Sequence, residues 1–102
     1  MKAEEILEKL REARSENGDE VCYEFSSNYY SKELGLGEVE EVDSHGGEGQ
    51  GEDWYVVAHY KEHNVFIKIS GFYSSYNGTD FDGYDFEEVK PREKVITVYD
   101  KV

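Results

Sequence analysis

"WYVVAHYKEHNVFIKISGFY", residues 54 to 73, is the stretch from which the fold can be read. Trp54 to Tyr60 and Val65 to Tyr73 are dominated by β-branched and aromatic residues, which favour a pleated, half-buried backbone. Between them stand Lys61, Glu62, His63 and Asn64, a polar interruption of the length that joins antiparallel strands. A β-hairpin is therefore expected over this segment.

Upstream, Ala3, Ile6, Leu7, Leu10 and Ala13 recur at three- and four-residue spacing among charged residues, which predicts an amphipathic helix over residues 2 to 16. Glu5 and Lys9 can pair one turn apart, and Asn17-Gly18 provides the left-handed stop. A helix of about four turns is marginal by itself, so it must dock on the sheet. In Glu20 to Phe25, alternation puts Val21, Tyr23 and Phe25 on one face and Cys22 on the other, so a strand is expected there.

Downstream, Lys94 to Tyr99 is apolar on both faces and is expected inside the sheet, after a turn marked by Pro91. Val39-Glu40-Glu41-Val42 and Phe86-Glu87-Glu88-Val89 share an apolar-acid-acid-apolar pattern, whose two apolar ends a flat strand would point opposite ways. A bulge or a strand end is expected at each. His45 to Asp53, with four glycines, reads as a flexible acidic loop. The chain as a whole predicts one α+β domain over residues 1–102, an N-terminal helix packed on an antiparallel sheet of about five strands spanning roughly residues 20 to 100.

The 102 residues fit one domain with an economical core. A net charge of −13, from 24 acidic against 11 basic side chains, repels nucleic acid and anionic lipid and favours a basic partner. The single cysteine, Cys22, rules out an intrachain disulfide. No apolar run resembles a signal peptide or a membrane span, so a cytoplasmic location is expected.

Catalytic and metal chemistry find little to stand on. Asp80, Asp82 and Gly83 share the core of a calcium loop, but with Gly83 at the sixth position the first and twelfth fall on Gly78 and Val89, neither of which can ligate. His59 and His63 straddle the hairpin turn and share no helical face; with Cys22 and His45 they could complete a metal set, although no spacing demands it. No motif selects a nucleophile with its base, and Glu48 in the glycine-rich loop would repel a phosphate. Neither an enzyme nor a cofactor is expected.

Nine tyrosines in so short a chain cannot all be buried, and exposed tyrosine is characteristic of interfaces. Residues 33 to 60 and 69 to 89 carry many acids: the first stretch holds no lysine or arginine, and the second repeats the deficit. Folded onto one side, these acids would form an anionic face of a density comparable with duplex DNA.

The segment Gly71 to Asp82, "GFYSSYNGTDFD", followed by Glu88-Val89 and Lys94 to Tyr99, resembles small proteins carried by bacteriophages and mobile elements, and is similar in style to anti-CRISPR proteins. What the resemblance implies is a phage-encoded inhibitor that binds a CRISPR effector nuclease in the host cytoplasm and blocks DNA recognition. The contact surface would comprise Glu38, Glu40, Glu41, Asp43, Tyr76, Asp80, Asp82 and Asp85, whose carboxylates would engage the arginines and lysines that read DNA. Two alternatives remain open on the same residues: an immunity protein neutralising a basic nuclease toxin, and a metal-stabilised binding module built on Cys22, His45, His59 or His63.

Overall fold

The computed structural model describes residues 1–46, 52–74, 78–92 and 99–102. Their elements in chain order are helices α1 (Ala3–Asn17), α2 (Glu20–Glu24) and α3 (Asn28–Glu33), then strands β1 (Val39–His45), β2 (Glu52–Tyr60), β3 (Val65–Ser74), β4 (Gly78–Asp80) and β5 (Glu87–Val89). The expected hairpin is β2 with β3, in unbroken antiparallel register from Tyr60 opposite Val65 to Glu52 opposite Tyr73. Asn64 closes its turn at φ 51°, a left-handed conformation that asparagine tolerates better than most residues.

Around the hairpin the sheet runs β1-β2-β3-β4, antiparallel throughout, and β5 also pairs with β3. β4 pairs with Phe72 to Ser74 and β5 with Phe66 to Lys68, so these two short strands share one edge of β3, and β1 forms the opposite edge. Of the strand expected over Lys94–Tyr99, residues 94 to 98 lie outside the described residues; Tyr99 itself is exposed. Of the expected loop, His45 closes β1 and Glu52 and Asp53 open β2, while residues 47 to 51 lie outside the described residues.

Alternation along β2 and β3 divides the sheet into two faces. Val56, Ala58, Tyr60, Val65, Ile67 and Ile69 are buried on one face, in a core shared with Ile6, Leu10 and Ala13 of α1, Val21 and Cys22 of α2, and Phe25 just beyond it. Each large side chain so enclosed contributes roughly 1.5–3 kcal/mol. Tyr60 is the largest of them, and its hydroxyl donates to the carbonyl oxygen of Phe25 at 2.9 Å, tying the hairpin to the end of α2. Burial drives its phenol well above the ordinary tyrosine range.

α1 matches its expected stripe, with Ile6, Leu10 and Ala13 buried, and Gly18 ends it at φ 83° with its amide donating to the Arg14 carbonyl at 2.7 Å. The segment Glu20–Glu24 corrects the sequence reading, because it is helix and not strand. Val21, Cys22 and Phe25 are buried together at one-, three- and four-residue spacing while Tyr23 is half exposed, the periodicity of a helix turn. Over so few residues, alternation and helical spacing share most positions, and the docking surface offered by α1 selects between them. α3 was not anticipated, for it buries only Ser31, whose hydroxyl donates to the Gly37 carbonyl at 2.7 Å.

Candidate binding surface

The acidic, aromatic segment around Asp80 to Val89 is fastened into the fold. Phe81 and Phe86 are fully buried, Phe81 against the rings of Tyr23 and Trp54 and Phe86 against Phe25, all edge-to-face. Gly71 of β3 permits this docking, since a Cβ there would stand 2.7 Å from Thr79 Cγ2 and 3.0 Å from Phe81 Cδ1. From α1, Arg14 donates to the carbonyls of Tyr84 at 2.7 Å and Phe81 at 3.1 Å, and Arg11 donates to Asp85 at 2.8 Å and to the Phe86 carbonyl at 3.3 Å. Asp80 and Asp85 also accept backbone amides of their own turn, from Asp82 and Phe86. Three of the candidate contact acids, Asp80, Asp82 and Asp85, therefore stand in a turn held by arginines.

The acids of β1 are differently placed. Lys61, from the hairpin turn, lies 3.7 Å from Glu38 and 3.4 Å from Glu40, and these carboxylates raise the affinity of its amine for a proton, Glu40 foremost. Exposed pairs of this kind add little to stability. A register shift between Glu41 and Asp43 marks the expected bulge at Val42. Its effect differs from the expected one: Val39 is buried in the core while Val42 is 45% exposed, so the two valines still face opposite sides. What the bulge does is place Asp43 opposite Val57, on the side away from the helices, where it accepts a hydrogen bond from the Tyr55 hydroxyl at 3.1 Å and raises the proton affinity of that phenol.

That side of the sheet is the open face. Phe66, Val57 and Val89 line a groove of roughly 400 Å³ together with Val42 and Asp43 on one flank and Lys90, Pro91 and Arg92 on the other. Phe86-Glu87-Glu88-Val89 behaves as Val39-Glu40-Glu41-Val42 does: Phe86 enters the core ahead of β5, and Val89, paired with Phe66, turns to the open face. Both tetrads are satisfied because both faces of the sheet are apolar in part. Beside the groove, His59 stacks on Phe66 with centroids 4.1 Å apart, His45 stacks on Tyr55, and Lys68 sits 4.6 Å over the Tyr55 ring. Phe72 is 43% exposed, and among the described residues no helix covers this face.

The candidate contact residues thus form two groups and not one. Glu38, Glu40, Glu41 and Asp43 lie along the β1 edge; Asp80, Asp82 and Asp85 lie at and beyond β4, three strand spacings or about 14 Å across the sheet. Tyr76 lies outside the described residues. Val57, Phe66 and Phe72 were not singled out as surface residues from the sequence, although the apolar residues on both alternating faces of the hairpin carried the signal.

Cys22 is enclosed, and burial pushes its thiol up to about 11, leaving it protonated and unreactive at neutral pH. His63 faces the Leu36 carbonyl at 3.1 Å, and His59 faces the Asn64 side chain at 3.1 Å. Among the described residues no three His, Cys, Asp or Glu side chains gather in a metal-binding group, and no helix is long and apolar enough to cross a membrane. No family model, curated protein or solved structure matches the chain.

Proposed function

We propose that this domain is a non-catalytic binding protein, a phage-encoded inhibitor that occupies the basic, DNA-reading surface of a CRISPR effector nuclease. The observation that carries the binding role is the sheet face that no helix among the described residues covers, where Val42 stays exposed and lines a groove with Val57, Phe66 and Val89 beside the Asp43 carboxylate. Apolar side chains grouped on an exposed surface with a charged margin are the mark of an interaction site. The nuclease as partner comes from the resemblance in the sequence and from the net charge of −13, which would accelerate encounter with a basic surface and repel competing polyanions.

In this reading the β1 edge supplies the carboxylates that engage arginines otherwise directed at DNA, and the open face supplies apolar contact area. The Asp80 to Asp85 turn, partly compensated by Arg11, adds to the long-range field and less to direct contact. The test is a pull-down of purified CRISPR effector nucleases at low and at physiological salt, followed by DNA competition on any complex recovered. The expected result is a complex that weakens with salt and that loses DNA binding in proportion to its occupancy. A complex that keeps full DNA binding would overturn the mimicry, and no complex with any effector would overturn the choice of partner.

A further inference from the structure

Resting on the reading of the domain as a binder of basic proteins, we infer that the groove on the open face takes an aliphatic side chain from a basic segment of the partner, oriented with its lysine or arginine toward β1. The floor is made by Val57 of β2 and Phe66 of β3, and its two ends by Val42 and Val89. Its roughly 400 Å³ lies at the low end of the range of roughly 300–1,000 Å³ over which proteins bind small groups. An aliphatic anchor there would cover apolar surface that the described residues leave partly in water, Val42 above all.

Charge across the groove is graded, and this fixes the direction of the occupant. On the β1 side stand Asp43, in the wall, and Glu40, shared with Lys61. On the other side stand Lys90 and Arg92, with Glu87 and Glu88 on the neighbouring β5. Lys68 is engaged over the Tyr55 ring. Within the groove wall a cationic residue beside the anchor is attracted toward Asp43 and repelled from Lys90 and Arg92, which Glu87 and Glu88 offset in part, so the orientation toward β1 is the favoured one. A second copy of this chain is a poor occupant, because two molecules each carrying −13 repel.

The experiment needs no nuclease, so its failure is distinguishable from failure of the partner assignment. The full chain, isotope-labelled, is titrated by NMR with a net-basic octapeptide carrying two leucines next to an arginine–lysine pair. Two control peptides replace the leucines by serines or the basic pair by glutamates. The expected result is saturable shifts of the Val42, Val57 and Val89 methyl groups with the first peptide and at least ten-fold weaker binding of both controls. Val42→Asp should weaken the first peptide ten-fold or more and Asp43→Asn about three-fold; Val42→Thr, nearly isosteric, provides a second variant should the first unfold. Shifts confined to other surfaces, equal binding of the serine control, or no saturable binding at low millimolar peptide would each overturn the proposal.

Discussion

Two acid-rich stretches of similar composition, residues 38–45 and 80–89, meet opposite fates in this molecule. The first runs along a sheet edge with Val39 alone buried, and its carboxylates are exposed. The second sinks Phe81 and Phe86 into the core and has its carbonyls and Asp85 gripped by Arg11 and Arg14. The difference lies in what each stretch can reach. α1 presents two arginines three residues apart on one flank, and the second stretch passes beneath them; among the described residues the first has Lys61, in exposed pairs with Glu38 and Glu40. A run of acids therefore says little about function until the cations within reach are known.

The widest contrast is expected from truncation of the buried rings. Phe81→Ala empties a site between Tyr23, Trp54 and Gly71 and should cost about 3–5 kcal/mol by urea unfolding, whereas Val42→Ala on the open face should change stability by less than about 0.5 kcal/mol. Equal effects would erase the distinction between the two stretches. Gly71→Ala sharpens it from beneath: the added methyl meets the Asp80 carbonyl oxygen at 2.9 Å and the Phe81 ring, and an overpacking cost of about 1–3 kcal/mol is expected, read in the same assay.

A pH series probes the core on which the second stretch rests. The Cys22 thiol, ordinarily near 9.0, is raised to about 11 in the folded chain, so its contribution is whole below about 9 and is lost as pH climbs toward 11. Unfolding free energy under reductant should fall by roughly 1.4 kcal/mol between pH 8 and 10 from this group, a loss that Cys22→Val should abolish. The smallest effect belongs to the edge: Glu40→Gln, which weakens the exposed Lys61 pair, should alter stability by less than about 0.5 kcal/mol.

Much of the fold was legible in the residues. The β2–β3 hairpin announced itself through long β-branched runs around a polar tetrad, and α1 through a stripe whose members Ile6, Leu10 and Ala13 are all buried. α2 was hidden because Val21 to Phe25 is too short for its period to declare itself, and α3 because its one buried residue, Ser31, is polar. For the surface, the sequence displayed the anomaly without its meaning. The two apolar-acid-acid-apolar tetrads suggested a bulge or a strand end, and β1 has its bulge at Val42 while β5 ends at Val89; what they did not disclose is that each sends one residue into the core and one, Val42 or Val89, to a second apolar patch. Which acids would meet arginines depended on α1 crossing a turn some seventy residues further along the chain, a contact that no local pattern encodes.

The claim that the Asp80–Phe86 turn is held in place from α1 while the β1 acids are displayed is tested most directly by one pair of double variants. Arg11→Gln with Arg14→Gln should destabilise the domain by about 2–3 kcal/mol and speed amide exchange over residues 81 to 86, because carbonyls that accepted charged donors lose them. Glu38→Gln with Glu40→Gln should leave both quantities within about 0.5 kcal/mol of the parent. Equal losses from the two doubles, or an unchanged turn in the first, would contradict the account.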